Sequence, residues 1–213
     1  MTDAGQPAPL IHVVDDDAAF QVAVSRVLRA AGYEVRCYAS AGEYLVAAFD
    51  ARPGCVLLDV RMPGPSGLDM QDALTRMARH RPIVFMSGYS DIPATVRAIK
   101  GGAVDFLAKP VPRETLLGAV RNALAREAEE RGERERLRDW RARLGTLSAR
   151  ELEVLQRVVS GKLNKVIAAE LGAAERTVKA HRARVMEKMG AASLAELVHI
   201  AGSLRAAGAM PAA

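Results

Sequence analysis

The chain has 213 residues with 30 Lys and Arg against 25 Asp and Glu, a formal charge of +5, and half its residues are hydrophobic. At roughly 100–200 residues per domain, that length allows one or two domains, and the balance of apolar and charged residues excludes a disordered chain. Aromatics at 4% argue against the stacking platforms used for single-stranded nucleic acid. Two cysteines, Cys37 and Cys55, are too few for a disulfide framework or a four-ligand zinc site, and both read as buried hydrophobes. No apolar run approaches the roughly 18–20 residues of a membrane span, and the polar start up to Pro9 carries no signal-sequence pattern, so a soluble cytoplasmic protein is expected.

In chain order, Leu10–Val14 is a short apolar run that ends in Asp15, Asp16 and Asp17. An amphipathic run with Phe20, Val24, Val27 and Leu28 follows and stops at Gly32. Glu34–Tyr38 is the next strand, and Ser40 caps a helix reaching about Phe49. Cys55–Leu58 is a third apolar run, ending in Asp59, and a Pro/Gly loop leads to a helix over about Leu68–Ala78. Ile83–Met86 is a fourth strand, ending in Ser87. A helix over about Asp91–Lys100 leads to Val104–Leu107, closed by Lys109 and Pro110, and a fifth helix starts near Arg113. Five short apolar strands separated by helices predict an α/β architecture, an open, doubly wound five-stranded parallel sheet covered on both faces.

Ligands of such sheets sit beyond the carboxyl ends of the strands. Asp15, Asp16, Asp59, Ser87 and Lys109 all fall there. Clustered carboxylates repel one another, burial raises their pKa values, and a hard divalent cation with oxygen ligands relieves the repulsion.

The charge is unevenly spread. Residues 1–120 carry 12 basic and 13 acidic side chains; residues 121–213 carry 18 and 12. That asymmetry suggests a basic module for a polyanion joined to a near-neutral one. Residues 121–147 alternate charges densely and read as an exposed connecting helix, broken or bent near Gly132. Within it Leu137, Trp140 and Leu144 fall at helical spacing. Such a stripe can pair two subunits or dock on the following module, and docking is the expectation for Trp140.

Beyond the connector, Ser148 and Glu151 form a capping box for a helix that Gly161 ends. Asn164–Leu171 is a second helix, stopped by Gly172. Glu175–Met189 is a third, with Val178, Val185 and Met189 on its apolar side, and Ser193 caps a fourth over about Leu194–Leu204. A short helix, a Gly turn and a longer basic helix make a helix-turn-helix pattern in a small all-α, four-helix domain. Lys179 and Arg182 share a face of the basic helix.

The strand-end constellation resembles the receiver domain of bacterial two-component response regulators. Val14–Asp16, Leu57–Gly64, Met86–Gly88 and Asp105–Pro110 carry the resemblance. Leu147–Leu155, Gly161, Asn164, Lys165, Ile167, Ala168, Leu171, Thr177–Lys179 and His181 resemble the LuxR-type helix-turn-helix. Together they are similar to the NarL/FixJ family, in its FixJ-like branch. The resemblance implies a flavodoxin-like strand order 2-1-3-4-5. It implies a receiver over 9–125 and a DNA-binding domain over 146–207; the charge pattern makes 126–145 between them a charged helical linker, longer and stiffer than the family usually has.

By resemblance, Asp59 is the phosphoryl acceptor. Asp15 and Asp16 hold Mg²⁺ (or Mn²⁺) with Asp59 and the backbone carbonyl of Arg61. Ser87 and Lys109 bind the phosphoryl group, the Lys109–Pro110 bond is cis, and Phe106 is the switch aromatic. Val96, Ile99, Lys100 and Val104 belong to a face that pairs two subunits. Lys179, Ala180 and Ala183 face base edges with Arg182 beside them, while Lys165, Thr177, His181 and Arg184 are phosphate contacts.

The implied partners are a sensor histidine kinase, double-stranded DNA, a second copy on phosphorylation, and RNA polymerase; no membrane partner is expected. One departure is Ala174, which stands where the family has a hydroxyl residue before the recognition helix and cannot cap it. A phosphatase of the haloacid-dehalogenase type would keep a second Asp two residues after the nucleophile, where this chain has Arg61, so no turnover enzyme is expected. The complete set of Asp15, Asp16, Asp59, Ser87 and Lys109 likewise argues against a degenerate receiver on a constitutive DNA-binding protein.

Overall fold

The computed structural model describes residues 8–48, 50–77, 81–88 and 92–211, and the chain divides into two compact units, 1–130 and 131–213. In the first unit β1 (Leu10–Val14), β2 (Glu34–Tyr38), β3 (Gly54–Asp59), β4 (Ile83–Ser87) and β5 (Asp105–Ala108) form one parallel sheet of order β2-β1-β3-β4-β5. They alternate with α1 (Ala18–Ala30), α2 (Ala41–Val46), α3 (Gly67–Arg76), α4 (Ile92–Lys100) and α5 (Arg113–Leu144). β1, β3 and β4 are buried at every position, as parallel strands covered on both faces must be.

The alternation of the strands divides the apolar residues between two cores. Val14, Val56, Leu58 and Phe85 point to the side of α3 and α4, with Met70, Leu74 and Ala98. Ile11, Val13, Leu57, Val84 and Met86 point to the side of α1 and α5, with Leu28, Leu116 and Val120. Helix starts are set by local side chains. Asp17 accepts from the backbone N–H groups of Ala19 and Phe20, Ser40 from Glu43, and Ser66 with Asp69 forms a full capping box.

Several boundaries differ from the sequence expectation. α2 stops at Val46, because Ala47 turns extended, so the helix does not run toward Phe49. Phe49, Ala78 and Asp91, three expected helix boundaries, lie outside the described residues. β5 begins one residue late, at Asp105. Val104 packs instead into the core on the side of α1 and α5, and its N–H bonds to Ile83 at 2.8 Å.

α5 runs unbroken through Gly132. In the second unit, Leu137, Trp140 and Leu144 of α5 pack on a core built by α6 (Ala149–Val159), α7 (Asn164–Leu171), α8 (Glu175–Met189) and α9 (Leu194–Ala206). Its centre is Val154, Leu155, Val158, Ile167, Val178, Val185, Met189, Leu197 and Ile200. The second unit thus takes in residues ahead of 146, because the apolar stripe on α5 belongs to that core. Among the described residues no helix is long and apolar enough to cross a membrane.

Candidate functional site

The register of the sheet places one polar residue at the end of each inner strand. Val14 lies beside Leu58, Asp59 beside Met86, and Ser87 beside Ala108. Asp15, Asp59, Ser87 and Lys109 therefore meet on one edge. The side chains of Asp15 and Asp59 are 0% and 7% exposed and that of Lys109 is 18%, so these charges interact with little water between them.

Lys109 Nζ bonds Asp15 Oδ2 at 2.6 Å and Asp59 Oδ1 at 2.8 Å, and lies 4.2 Å above the Phe20 ring. The second oxygen of each carboxylate is also held. Asp15 Oδ1 accepts from the Asp17 N–H at 3.0 Å, and Asp59 Oδ2 from the Arg61 N–H at 2.9 Å. Burial pushes the Asp15 carboxyl above its ordinary range, against the pull of Lys109. Burial works against the Lys109 ammonium, but its hydrogen bonds to Asp15 and Asp59 and their charges prevail and hold its pKa above the usual value. The Lys109–Pro110 bond is cis, and the Lys109 N–H donates to the Ser87 carbonyl at 2.7 Å.

Three supports carried no motif that sequence reasoning used. Gln21 Nε2 donates to the carbonyls of Asp15 (2.6 Å) and Tyr38 (2.8 Å), tying β1 to β2 beside the site. Phe20 lies under Lys109. Gly67 packs against the end of β3 so closely that a Cβ there would stand 2.1 Å from the Asp59 carbonyl oxygen. Only the Gly-rich loop after Asp59 hinted at the last of these.

Asp16 is exposed, outside the Asp15–Lys109–Asp59 bridge, and among the described residues no three His, Cys, Asp or Glu side chains are gathered to hold a metal ion. The donors at this edge are nonetheless all oxygen, and two buried carboxylates share a single ammonium, which leaves a net negative charge. That donor set suits a hard dication. Ser87 is buried, and Phe106 is half-buried and stacked on Phe85 with centroids 6.3 Å apart. On α4, Val96, Ile99 and Lys100 are exposed, whereas Val104 is packed inward.

The second unit offers a different surface. Gly172, with φ +59°, ends α7 in the left-handed conformation a tight turn requires, and the Arg150 guanidinium binds the Leu171 carbonyl beside it. α8 buries Val178, Val185 and Met189 and leaves Thr177, Lys179, Ala180, Ala183 and Arg184 exposed; Lys165 on α7 is exposed too. Ala174 has extended, cap-like geometry (φ −72°, ψ 145°) but gives the helix no side-chain bond. His181 is half-buried with an unpartnered Nδ1. Arg182 is half-buried and bonded to Asn164.

Lys188, another basic residue of α8, is committed to the fold. It bonds Glu151 at 2.7 Å and the Thr146 carbonyl at 3.0 Å, and with Ser148 it lowers the Glu151 carboxyl to about 2. Trp140 sits edge-on to His199 with ring centroids 5.8 Å apart, docked within its own unit.

Comparison with known proteins gives two family matches, "Response regulator receiver domain" over residues 11–121 and "Bacterial regulatory proteins, luxR family" over residues 145–201. The chain is 44% identical over 203 residues to Nodulation protein W of Bradyrhizobium diazoefficiens, covering 95% of this chain and 89% of that one. It is 41% identical over 191 residues to the transcriptional regulatory protein FixJ of Azorhizobium caulinodans, covering 90% of each. A solved structure of the response regulator StyR matches with a TM-score of 0.79 and 42% identity, over 92% of this chain and 99% of that one.

Proposed function

Since the chain belongs to the response-regulator family of the NarL/FixJ type, with a receiver and a LuxR-type DNA-binding domain, we propose that phosphorylation of Asp59 by a sensor histidine kinase switches its dimerisation and sequence-specific DNA binding. The observation that carries this reading is the buried Asp59 carboxylate, aimed by Lys109 and the Arg61 N–H at the edge of the sheet. Phosphoryl transfer asks for positioning and charge neutralisation more than for covalent chemistry by the protein. An Asp59 oxygen forms the new bond to phosphorus as the bond to the donor imidazole breaks, and the electron pair leaves with that imidazole. Lys109, already between two carboxylates, moves its charge toward the incoming phosphoryl oxygens.

Asp15, Asp16, Asp59 and the Arg61 carbonyl are the residues that would hold Mg²⁺, or Mn²⁺, which supplies further neutralisation of phosphoryl charge. Ser87 donates its hydroxyl to the bound group. That draws Ser87 and the end of β4 inward, lets Phe106 turn in, and repacks the face that carries Val96, Ile99 and Lys100, with Val104 behind it. A phosphoryl group that contacts only one of two arrangements biases the protein toward it.

The output is a dimer that presents two α8 helices to DNA. Lys179, Ala180, Arg182 and Ala183 meet base edges; Lys165, Thr177, His181 and Arg184 meet phosphates and supply affinity and salt dependence. Asp59 acts as a switch and not as a turnover nucleophile. The protein works in the cytoplasm, and RNA polymerase is the partner at the promoter.

Gel-shift binding with and without beryllofluoride, on wild type and Asp59→Asn, tests the reading. Wild type should tighten and the variant should not. Equal responses of the two refute the switch.

A further inference from the structure

Asn164 opens α7 without capping it. The cap position belongs to Leu163, which has no side-chain bond to give, and Asn164 reaches across the turn instead. Its Oδ1 accepts from the Arg182 guanidinium on α8 at 3.2 Å, across 18 positions of chain. Other basic side chains of this unit are paired with carboxylates: Lys188 with Glu151, Arg150 with Glu153, and Arg157 and Lys162 with Glu170.

Arg182 is tied to a neutral amide, and among the described residues it has no acidic partner within ion-pair distance. The difference is chemical. A carboxylate would hold the guanidinium and cancel its charge; an amide oxygen holds it and leaves the charge and the other N–H groups available.

Arg182 stands three residues beyond Lys179, so the two lie on one face of α8, and exposed Ala180 and Ala183 flank that face. Side chains that small let a helix backbone come close to base edges. We infer that Asn164 is a positioning residue that presets Arg182 to read a guanine edge in the major groove. This rests on the reading that α8 enters DNA. A guanidinium fits the paired acceptors O6 and N7 of guanine, and holding the side chain in place beforehand removes part of the ordering cost of binding.

The test is binding-site selection from a random duplex pool by the full chain with beryllofluoride, for wild type, Asn164→Ala, Asn164→Asp, Arg182→Ala and the Asn164→Ala/Arg182→Ala pair. Wild type should prefer guanine at one position of each half-site, and Arg182→Ala should erase that preference alone. Asn164→Ala should weaken it by about three- to tenfold at the same position, the scale of one freed side chain. The double variant should match Arg182→Ala. Asn164→Asp keeps the shape and pairs the charge, and should weaken the preference at least as much.

An unchanged Asn164→Ala profile overturns the inference. So does an even loss at all positions, the mark of a phosphate contact or of general destabilisation, and so do losses from the two single variants that add. If wild type selects no sequence, the DNA-reading role fails along with it.

Discussion

Lys109→Met removes the one ammonium shared by Asp15 and Asp59 while keeping most of the side chain's length and packing over Phe20. With bonds of 2.6 and 2.8 Å to the same nitrogen, the two bound carboxylate oxygens are no more than about 5.4 Å apart, and at an effective dielectric near 20 their repulsion is at least about 3 kcal/mol. Breaking a buried ion pair from one side typically costs about 3–5 kcal/mol, so the two routes agree. The sign with pH follows from burial. Asp15 already has its pKa raised by desolvation, and loss of Lys109 raises it further, so the variant is penalised where both carboxylates are ionised and relieved as one takes up a proton.

Denaturant unfolding of the full chain without divalent cations should show a deficit of about 3 kcal/mol at pH 8 that shrinks steadily toward pH 5. Millimolar Mg²⁺ should restore part of it at pH 8, because a cation again separates the carboxylates. A deficit below about 1 kcal/mol, or one equal at the two pH values, would show that water and not Lys109 balances these charges, and the reasoning would fail.

Gly67→Ala should destabilise the first unit by at least about 1–3 kcal/mol and abolish acetyl phosphate labelling of Asp59, since the added methyl meets the Asp59 carbonyl; normal labelling in a mass-spectrometric assay would contradict this. Ala174→Ser should raise the stability of the second unit by about 1 kcal/mol, because the backbone there already has cap geometry and lacks only the oxygen; calorimetry of the full chain would detect the gain, and no change would show that water already serves those N–H groups.

His12, inside β1, is held neutral by burial down to about 3, with its Nε2 unpartnered. The unfolded chain takes up that proton below about 6.5, so stability is full above that pH and falls by about 1.4 kcal/mol per unit as pH drops toward 3. His12→Phe should flatten this slope in acid unfolding curves, and an unchanged slope would place the sensitivity elsewhere.

Four of the five strands were legible because an apolar run stops at a charged or hydroxyl residue: Asp15 just past β1, Asp59 in β3, Ser87 in β4, and Lys109 just past β5. The turn before α8 was legible because only Gly172 suits its left-handed backbone. What stayed hidden depends on contacts between distant positions. The strand-end rule brought Asp15 and Lys109, 94 residues apart, to one edge, but nothing near Asp15 announces that Lys109 bridges it directly to Asp59, nor that Gln21 fastens two strand ends.

Val104 was grouped with the α4 residues by resemblance alone, and only its packing into the core on the side of α1 and α5 shows that its side chain is half-buried there. That the fifth helix runs on into the linker was legible in the sequence; that it passes Gly132 without the expected break was hidden for another reason. One glycine costs a helix about 1 kcal/mol, which neighbouring helical residues and pairs such as Arg126–Glu130 readily offset.

The docking of Trp140 against His199 has an experimental use. The chain's single tryptophan lies in the second unit, and its four tyrosines, Tyr33, Tyr38, Tyr44 and Tyr89, all lie in the first. The molecule therefore carries two separate optical labels. Emission excited at the red edge comes from the DNA-binding unit alone and senses the packing of Trp140 against His199, while the tyrosine signal follows the receiver. The melting of each half can be watched in the unmodified 213-residue chain, with no dye attached and no domain cut away.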